Sequence, residues 1–207
     1  AFLRCCRGAP EESGRRGGPM SMPTSNGEVF LQRAPARPRF GCKGPLAETW
    51  LRELAFEVPQ GANTWMCRSH DNIVVARLAT SEFLVEAVAD DGSASRPRII
   101  EAARRLQDPK QRRPGLVPVL RQDVVLELSG ARANDLLVET CNVDFKPLAR
   151  AARPDGGTLV LTSMIGVGVT VIVRRVESNL TYMIWYDPSF DHYLWSTLLE
   201  VAEGISN

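Results

Sequence analysis

The chain has 207 residues, 25 Lys+Arg against 24 Asp+Glu, a net charge of +1 and 44% hydrophobic residues. That length suits one ordinary domain, or two small ones on a shared core, burying roughly 70% of the unfolded surface without a disulfide or metal staple. Near-neutral charge argues against a dedicated nucleic-acid binder, no run of about 18 apolar residues argues for a membrane span, and two histidines with five cysteines leave little for a metal site.

Along the chain, the first segment stands apart. Residues 1–38 hold six Arg against three Glu, with five Gly and five Pro. Such a stretch has little apolar surface to set against its ordering entropy, so residues 1–37 read as a disordered leader. It lacks the apolar core of a secretory signal, and Glu11 and Glu12 weigh against a transit peptide. Met20 or Met22 would each open an ordinary chain.

Residues 38–106 then read as a first α+β half. Phe40-Gly41-Cys42-Lys43-Gly44-Pro45-Leu46-Ala47-Glu48-Thr49-Trp50-Leu51 gives a strand, a turn at the glycine and a helix. Ile73–Leu78 and Glu82–Glu86 follow as a hairpin of alternating and β-branched residues around Ala79-Thr80-Ser81. A helix from Arg98 to Leu106 carries Ile99, Ile100, Ala103 and Leu106. Residues 107–118, with Lys110, Arg112, Arg113, Pro109 and Pro114, read as a solvated basic connector.

Residues 119–207 repeat the pattern. Leu126-Glu127-Leu128-Ser129-Gly130-Ala131-Arg132-Ala133-Asn134-Asp135-Leu136-Leu137 aligns Gly130 with Gly44, Ala133 with Ala47, Leu136 with Trp50 and Leu137 with Leu51. Val167–Val173 and Leu180–Trp185 form the second hairpin. Asp187-Pro188-Ser189 caps a last helix whose stripe is Phe190, Tyr193, Leu194, Thr197, Leu198 and Val201, with Gly204 at its end. Val119-Leu120 and Val124-Val125 are available to close each sheet. The chain is therefore an α+β fold of two similar strand-helix-hairpin-helix halves sharing a buried face.

Few residues offer chemistry. Cys5, Cys6, Cys42, Cys67 and Cys141 contain no C-x-x-C pair and no disulfide framework, which fits small buried thiols in a reducing, cytoplasmic setting. His70 reads as a loop residue, and His192 follows Asp191 on a helix, where neighbours do not face each other. Ile165-Gly166-Val167-Gly168-Val169 runs into a strand and reads as a turn or bulge, not a dinucleotide fingerprint. The stretch from Arg96 to Arg121 has eight basic residues against two acidic ones. It reads as a solvated face, with steering of an anionic ligand or docking of an acidic partner as the alternative. Trp195 lies about 100° from the Leu194 stripe and either rims the core or faces a partner. Arg112, Arg113, Arg121, Trp185 and Trp195 are the candidate partner interface; no catalytic, cofactor-binding or metal-binding residue is assigned.

Taken together, Pro38–Pro45, Ser81–Leu84, Val117–Asp123, Leu128–Gly130, Thr162–Val167 and Asp187–Trp195, in that order and spacing, resemble the gamma subunit of heterotetrameric sarcosine oxidase over roughly residues 37–203. That family is similar to the folate-binding aminomethyltransferase of the glycine cleavage system, the T-protein, so the resemblance implies a T-protein-like fold. It implies a chain without an active site in a complex that oxidatively demethylates sarcosine to glycine, passing the one-carbon unit to tetrahydrofolate and forming hydrogen peroxide. Alpha and beta partner subunits would hold FAD, FMN, NAD and tetrahydrofolate, and the delta subunit zinc. Related complexes act on N-methylglutamate or other N-methyl amino acids, so the substrate is not fixed by this chain.

Overall fold

The computed structural model describes residues 21–23, 28–68, 72–88, 95–176 and 178–206. In chain order the first half gives β1 (Ser21–Pro23), β2 (Phe30–Arg33), β3 (Arg39–Lys43), α1 (Ala47–Glu53), β4 (Thr64–Arg68), β5 (Ile73–Ala79), β6 (Glu82–Ala87) and α2 (Ser95–Gln107). The second gives β7 (Val117–Val119), β8 (Val124–Ser129), α3 (Ala133–Thr140), α4 (Lys146–Ala151), β9 (Gly156–Met164), β10 (Val167–Val176), β11 (Asn179–Tyr186) and α5 (Asp191–Ser206).

The sequence echo is a structural one. Gly44 and Gly130 leave β3 and β8 with φ of +112° and +110°, a backbone region that costs a side-chain-bearing residue dearly. Each also receives a carbonyl where a Cβ would sit. A Cβ on Gly44 would run into the Gly115 oxygen, and one on Gly130 into the Glu28 oxygen. Those carbonyls accept the N–H groups of Leu46 and Arg132, each at 3.0 Å, and so tie off the open N-termini of α1 and α3. Ala47, Trp50 and Leu51, like Ala133, Leu136 and Leu137, are buried against the sheet behind.

The segments that reach these glycines come from the opposite half. The strand order is β1-β2-β8-β11-β10-β9-β4-β5-β6-β3-β7. Leaving β1 aside, it is symmetric about the central β9/β4 pair. The first strand of each half crosses over: β2 pairs with β8, and β7 pairs with β3. Two boundaries drawn from sequence change as a result. Residues 28–37 belong to the fold, with Val29 and Leu31 fully in the core, so the leader does not extend to residue 37. The connector ends where β7 begins, at Val117, leaving Pro109–Gln111 as an exposed 3-10 turn. Residues 1–20, with Cys5, Cys6 and Met20, lie outside the described residues.

Three apolar layers make the core. One packs α1 and α2 on β3, β5 and β6 through Phe40, Trp50, Phe83 and Ile99. A second packs α3 and α5 on β2, β8, β10 and β11 through Leu136, Tyr182, Leu194 and Leu198. The third is made by the opposite faces of β5, β6, β10 and β11 together with β4: Trp65, Val74, Ala76, Leu84, Ile172, Met183 and Trp185. Strands β6 and β11 are five positions apart in the order. Flat, they would be separated by roughly 24 Å. Instead Trp185 on β11 donates a 2.6 Å hydrogen bond to Glu86 on β6, so the sheet is folded back on itself around that middle layer. At its centre Trp65 pairs with Gly157, and a Cβ on Gly156 would lie 2.9 Å from the Trp65 carbonyl, so the β4–β9 pairing leaves no room for a side chain at Gly156.

Both predicted hairpins form. The Ile165-Gly166 segment is a turn: both residues have positive φ and Met164 pairs with Val167, as a tight two-residue hairpin loop demands. The last helix differs in two respects. Asp187 caps a 3-10 turn at Pro188–Phe190, after which α5 runs through Gly204 to Ser206, so Gly204 does not end it. Its buried face is Leu194, Trp195, Leu198 and Ala202, while Phe190 and Tyr193 are about half exposed.

Gly44→Ala and Gly130→Ala should each lower unfolding free energy by about 3 kcal/mol, combining a left-handed backbone with a carbonyl clash. Gly168→Ala, where a Cβ meets nothing within 4 Å, should change it by less than about 0.5 kcal/mol. Urea denaturation measures all three.

Candidate functional site

Several charged groups drawn into the interior gather where the two halves meet, whereas buried Arg77 pairs with Glu48 of α1 within the first half. Arg39 and Glu86 stand opposite each other on β3 and β6, and their side chains pair at 3.2 Å with the carboxylate fully buried. The other donor to that carboxylate is the Trp185 indole, and Arg39 also reaches the Asp123 carbonyl in the segment between β7 and β8. Nearby, Gln32 and Glu127 face each other across β2 and β8. Glu127 accepts from Gln32 at 2.6 Å and from Arg37 at 2.8 Å. The Ala34–Pro38 stretch is thus not a loose link. Ala34 continues the β2 ladder by donating to the Val125 carbonyl at 2.9 Å, and Arg37 and Arg39 follow it into the seam.

Burial pushes the Glu86 carboxyl above the ordinary carboxylate range, against the pull of Arg39, the indole N–H and Arg37. The Cys42 thiol, buried beneath α1, is pushed up to about 12 by desolvation, with Arg121 opposing, so it is a poor nucleophile. Two hollows flank Arg37. One, of about 430 Å³, is lined by Arg37, Arg39, Arg121 and Asp123. The other, of about 950 Å³, opens over β8 and β11 and is lined by Arg37, Glu127, Asn134, Arg174 and Tyr182.

The five residues proposed as a partner interface separate. Trp185 is 2% exposed and belongs to the middle layer, where the indole bonds Glu86; it faces no partner. Trp195 is 7% exposed, and the Arg33 guanidinium lies 4.1 Å over its ring. Arg33 also pairs with Asp191, which accepts the Tyr186 hydroxyl at 2.6 Å, so Trp195 helps fasten β2 to α5. Arg121 is mostly buried and pairs with Glu82 at 2.6 Å. Arg112 and Arg113 are exposed after the 3-10 turn, Arg113 pairing with Glu53 on α1 at 2.6 Å. His192 is exposed on α5, while His70 lies outside the described residues. Among the described residues no three His, Cys, Asp or Glu side chains are grouped to hold a metal, and no helix is long and apolar enough to cross a membrane.

Sequence reasoning missed Arg37, Arg39 and Glu86. The only local signal was apolar Val29-Phe30-Leu31 inside an otherwise Gly-, Pro- and Arg-rich segment.

No protein-family model matches the chain, and no curated protein matches it. Among solved structures, it is similar to a chain of heterotetrameric sarcosine oxidase from Corynebacterium sp. U-96, with TM-score 0.62 and 19% identity over 86% of each chain. It is also similar to glycine cleavage system aminomethyltransferase T from Bartonella henselae, with TM-score 0.55 and 13% identity. That match covers 85% of this chain but 46% of the transferase. The fold is the α+β fold of two halves read from the sequence repeat, and it is T-protein-like, as the resemblance implied.

The seam has two measurable consequences. Trp185→Phe removes a donor from a buried carboxyl and should cost about 3 kcal/mol in urea denaturation. Because the folded-state pKa of Glu86 is raised, its stabilising contribution is full below the ordinary value of 4.5 and is lost as pH rises through the folded value. Glu86→Gln cannot titrate. The wild type should therefore lose stability relative to this variant as pH climbs above 4.5, and a constant difference would contradict the assignment.

Proposed function

We propose that this chain is a non-catalytic, gamma-type subunit of a heterotetrameric, flavin-dependent sarcosine oxidase, serving in assembly. One observation carries the reading. The likeness to the sarcosine oxidase chain spans 86% of both partners, so that chain is about as long as this one, whereas less than half of the aminomethyltransferase is matched. The matched sarcosine oxidase chain is spanned almost throughout and the transferase only in part.

In this reading the alpha, beta and delta subunits are the partners. The larger two carry FAD, FMN, NAD and tetrahydrofolate, and the delta subunit carries zinc. The complex converts sarcosine to glycine, with the one-carbon unit taken by tetrahydrofolate and oxygen reduced to hydrogen peroxide. The exposed pair Arg112 and Arg113 remains the part of the candidate interface open to a partner. A gamma-type role in an N-methylglutamate or other N-methyl amino acid dehydrogenase differs only in the partners' substrate and electron acceptor. The aminomethyltransferase likeness favours a second reading, a stand-alone folate-binding protein. That reading requires tetrahydrofolate to bind the isolated chain, and calorimetry without saturable heat would dismiss it.

Co-expression with the alpha, beta and delta chains should give one co-eluting complex. Elution of this chain alone, with the others fully assembled and active, would sink the proposal. Arg112→Glu combined with Arg113→Glu should weaken co-elution while leaving the isolated chain's unfolding free energy within about 1 kcal/mol of wild type, since the one exposed ion pair lost contributes little.

A further inference from the structure

Each half places a helix after its hairpin, and the repeat allows the two outer surfaces to be compared. α2 buries Ile99, Ala102 and Leu106, and α5 buries Trp195, Leu198 and Ala202 at the same spacing. Aligning these positions sets Glu200 where α2 has Arg104, and Glu203 where it has Gln107. All four side chains are exposed. Packing of this helix on its sheet therefore accepts either sign of charge. The helix dipole does not explain the difference either. Cations are favoured at a helix C-terminus, and Arg104 and Arg105 stand in the last turn of α2, but α5 has no basic residue there.

The basic surface continues past α2. Residues 101–113 hold Arg104, Arg105, Lys110, Arg112 and Arg113 against Glu101 and Asp108, and all five basic residues are exposed. Arg105 pairs with Glu101 at 2.9 Å, and Arg113 with Glu53 of α1 at 2.6 Å. Asp108 is engaged locally, accepting from the Lys110 N–H at 2.9 Å and from the Gln111 amide at 3.1 Å. Among the described residues, Arg104, Lys110 and Arg112 pair with no carboxylate. Residues 89–94 lie outside the described residues and adjoin the other end of α2, at Ser95, roughly 18 Å along the axis from Gln107.

We propose that the exposed face formed by the end of α2 and residues 108–113 docks an acidic segment of a partner protein. Guanidinium groups present planar forks that suit discrete carboxylates. The interspersed Glu53, Glu101 and Asp108 divide the face into separate basic positions. A duplex, with one phosphate charge every ~1.7 Å of its axis, would run over those carboxylates as well. A chain of net charge +1 supplies no wider field to offset them. Arg112 and Arg113 belong to this face, but it is defined without any named complex and goes beyond the subunit reading, which it does not need.

Fluorescence anisotropy on the full chain tests it, with a labelled Glu-Ala repeat peptide as probe and a Gln-Ala repeat peptide and a duplex DNA as controls. The Glu-Ala peptide should bind saturably, and more weakly as salt shortens the reach of the charges. Arg104→Glu combined with Arg112→Glu should weaken binding about tenfold, as reversal of two exposed charges requires. Glu200→Gln, at the equivalent position of the other half, should leave it within about twofold. Should the double variant fail to fold by circular dichroism, Lys110→Glu probes the same face and should also weaken binding. The proposal is overturned if the Glu-Ala peptide gives no saturable change, if the Gln-Ala peptide binds equally well, if the DNA binds more tightly, or if the folded variants of this face bind as wild type does. It is overturned equally if sedimentation shows the chain associating with itself through this face, which would make a second copy the occupant.

Discussion

Each half of this chain is completed by a strand that belongs, in sequence, to the other. β2 lies on β8 and β7 lies on β3, and the carbonyl arriving just before each exchanged strand fills the space left open by a glycine. The rest follows from that exchange. The carbonyls cap α1 and α3, the buried Ala, Trp and Leu residues of those helices seat the outer layers, and the ladder continues through Ala34 to bring Arg37 and Arg39 to the seam. Removing either crossing strand would expose one sheet edge, one helix N-terminus and one side of the core together.

The polar seam is the second constraint. Folding a long sheet on itself brings faces together that would ordinarily be filled with aliphatic groups. Here the middle layer is mostly that, with Glu86 placed inside it. A buried carboxyl is costly without donors, and it has an indole and a guanidinium drawn from strands far apart in sequence. Such a group ties β6 to β3 and β11 through one carboxylate oxygen, while its second oxygen is buried without a hydrogen-bond partner. The Arg33, Trp195, Tyr186 and Asp191 contacts do the same work on the outer face, holding the exchanged strand to the last helix.

How much of this was legible depended on range. The repeated Gly-turn units, both hairpins and α2 and α5 are written in local periodicity and turn chemistry, so they could be read directly. Four-residue β2 could not: only Leu31 within it and Val29 just before it are buried, and the segment's Gly, Pro and Arg content hid them. β9 begins with two glycines because it passes Trp65, a contact no local pattern announces. The fates of Trp185 and Trp195 were set by Glu86, 99 residues away, and by Arg33 near the other end of the chain. Spacing along α5 located Trp195 beside the stripe, but the partner that covers it comes from β2.

The two ends of the strand order are not equivalent in one respect. On β2 the residue whose backbone turns outward, Leu31, pairs with Met22 of β1. On β7 the corresponding outward position is Pro118, because Val117 and Val119 turn inward to Lys43 and Gly41. Proline has no N–H to offer, so this end of the sheet presents an acceptor without its matching donor. The sheet therefore has a polarity of growth. Among the described strands one has been added beyond β2, while the missing N–H on β7 makes the pairing of a further strand there less favourable, a feature that blunts an exposed sheet edge.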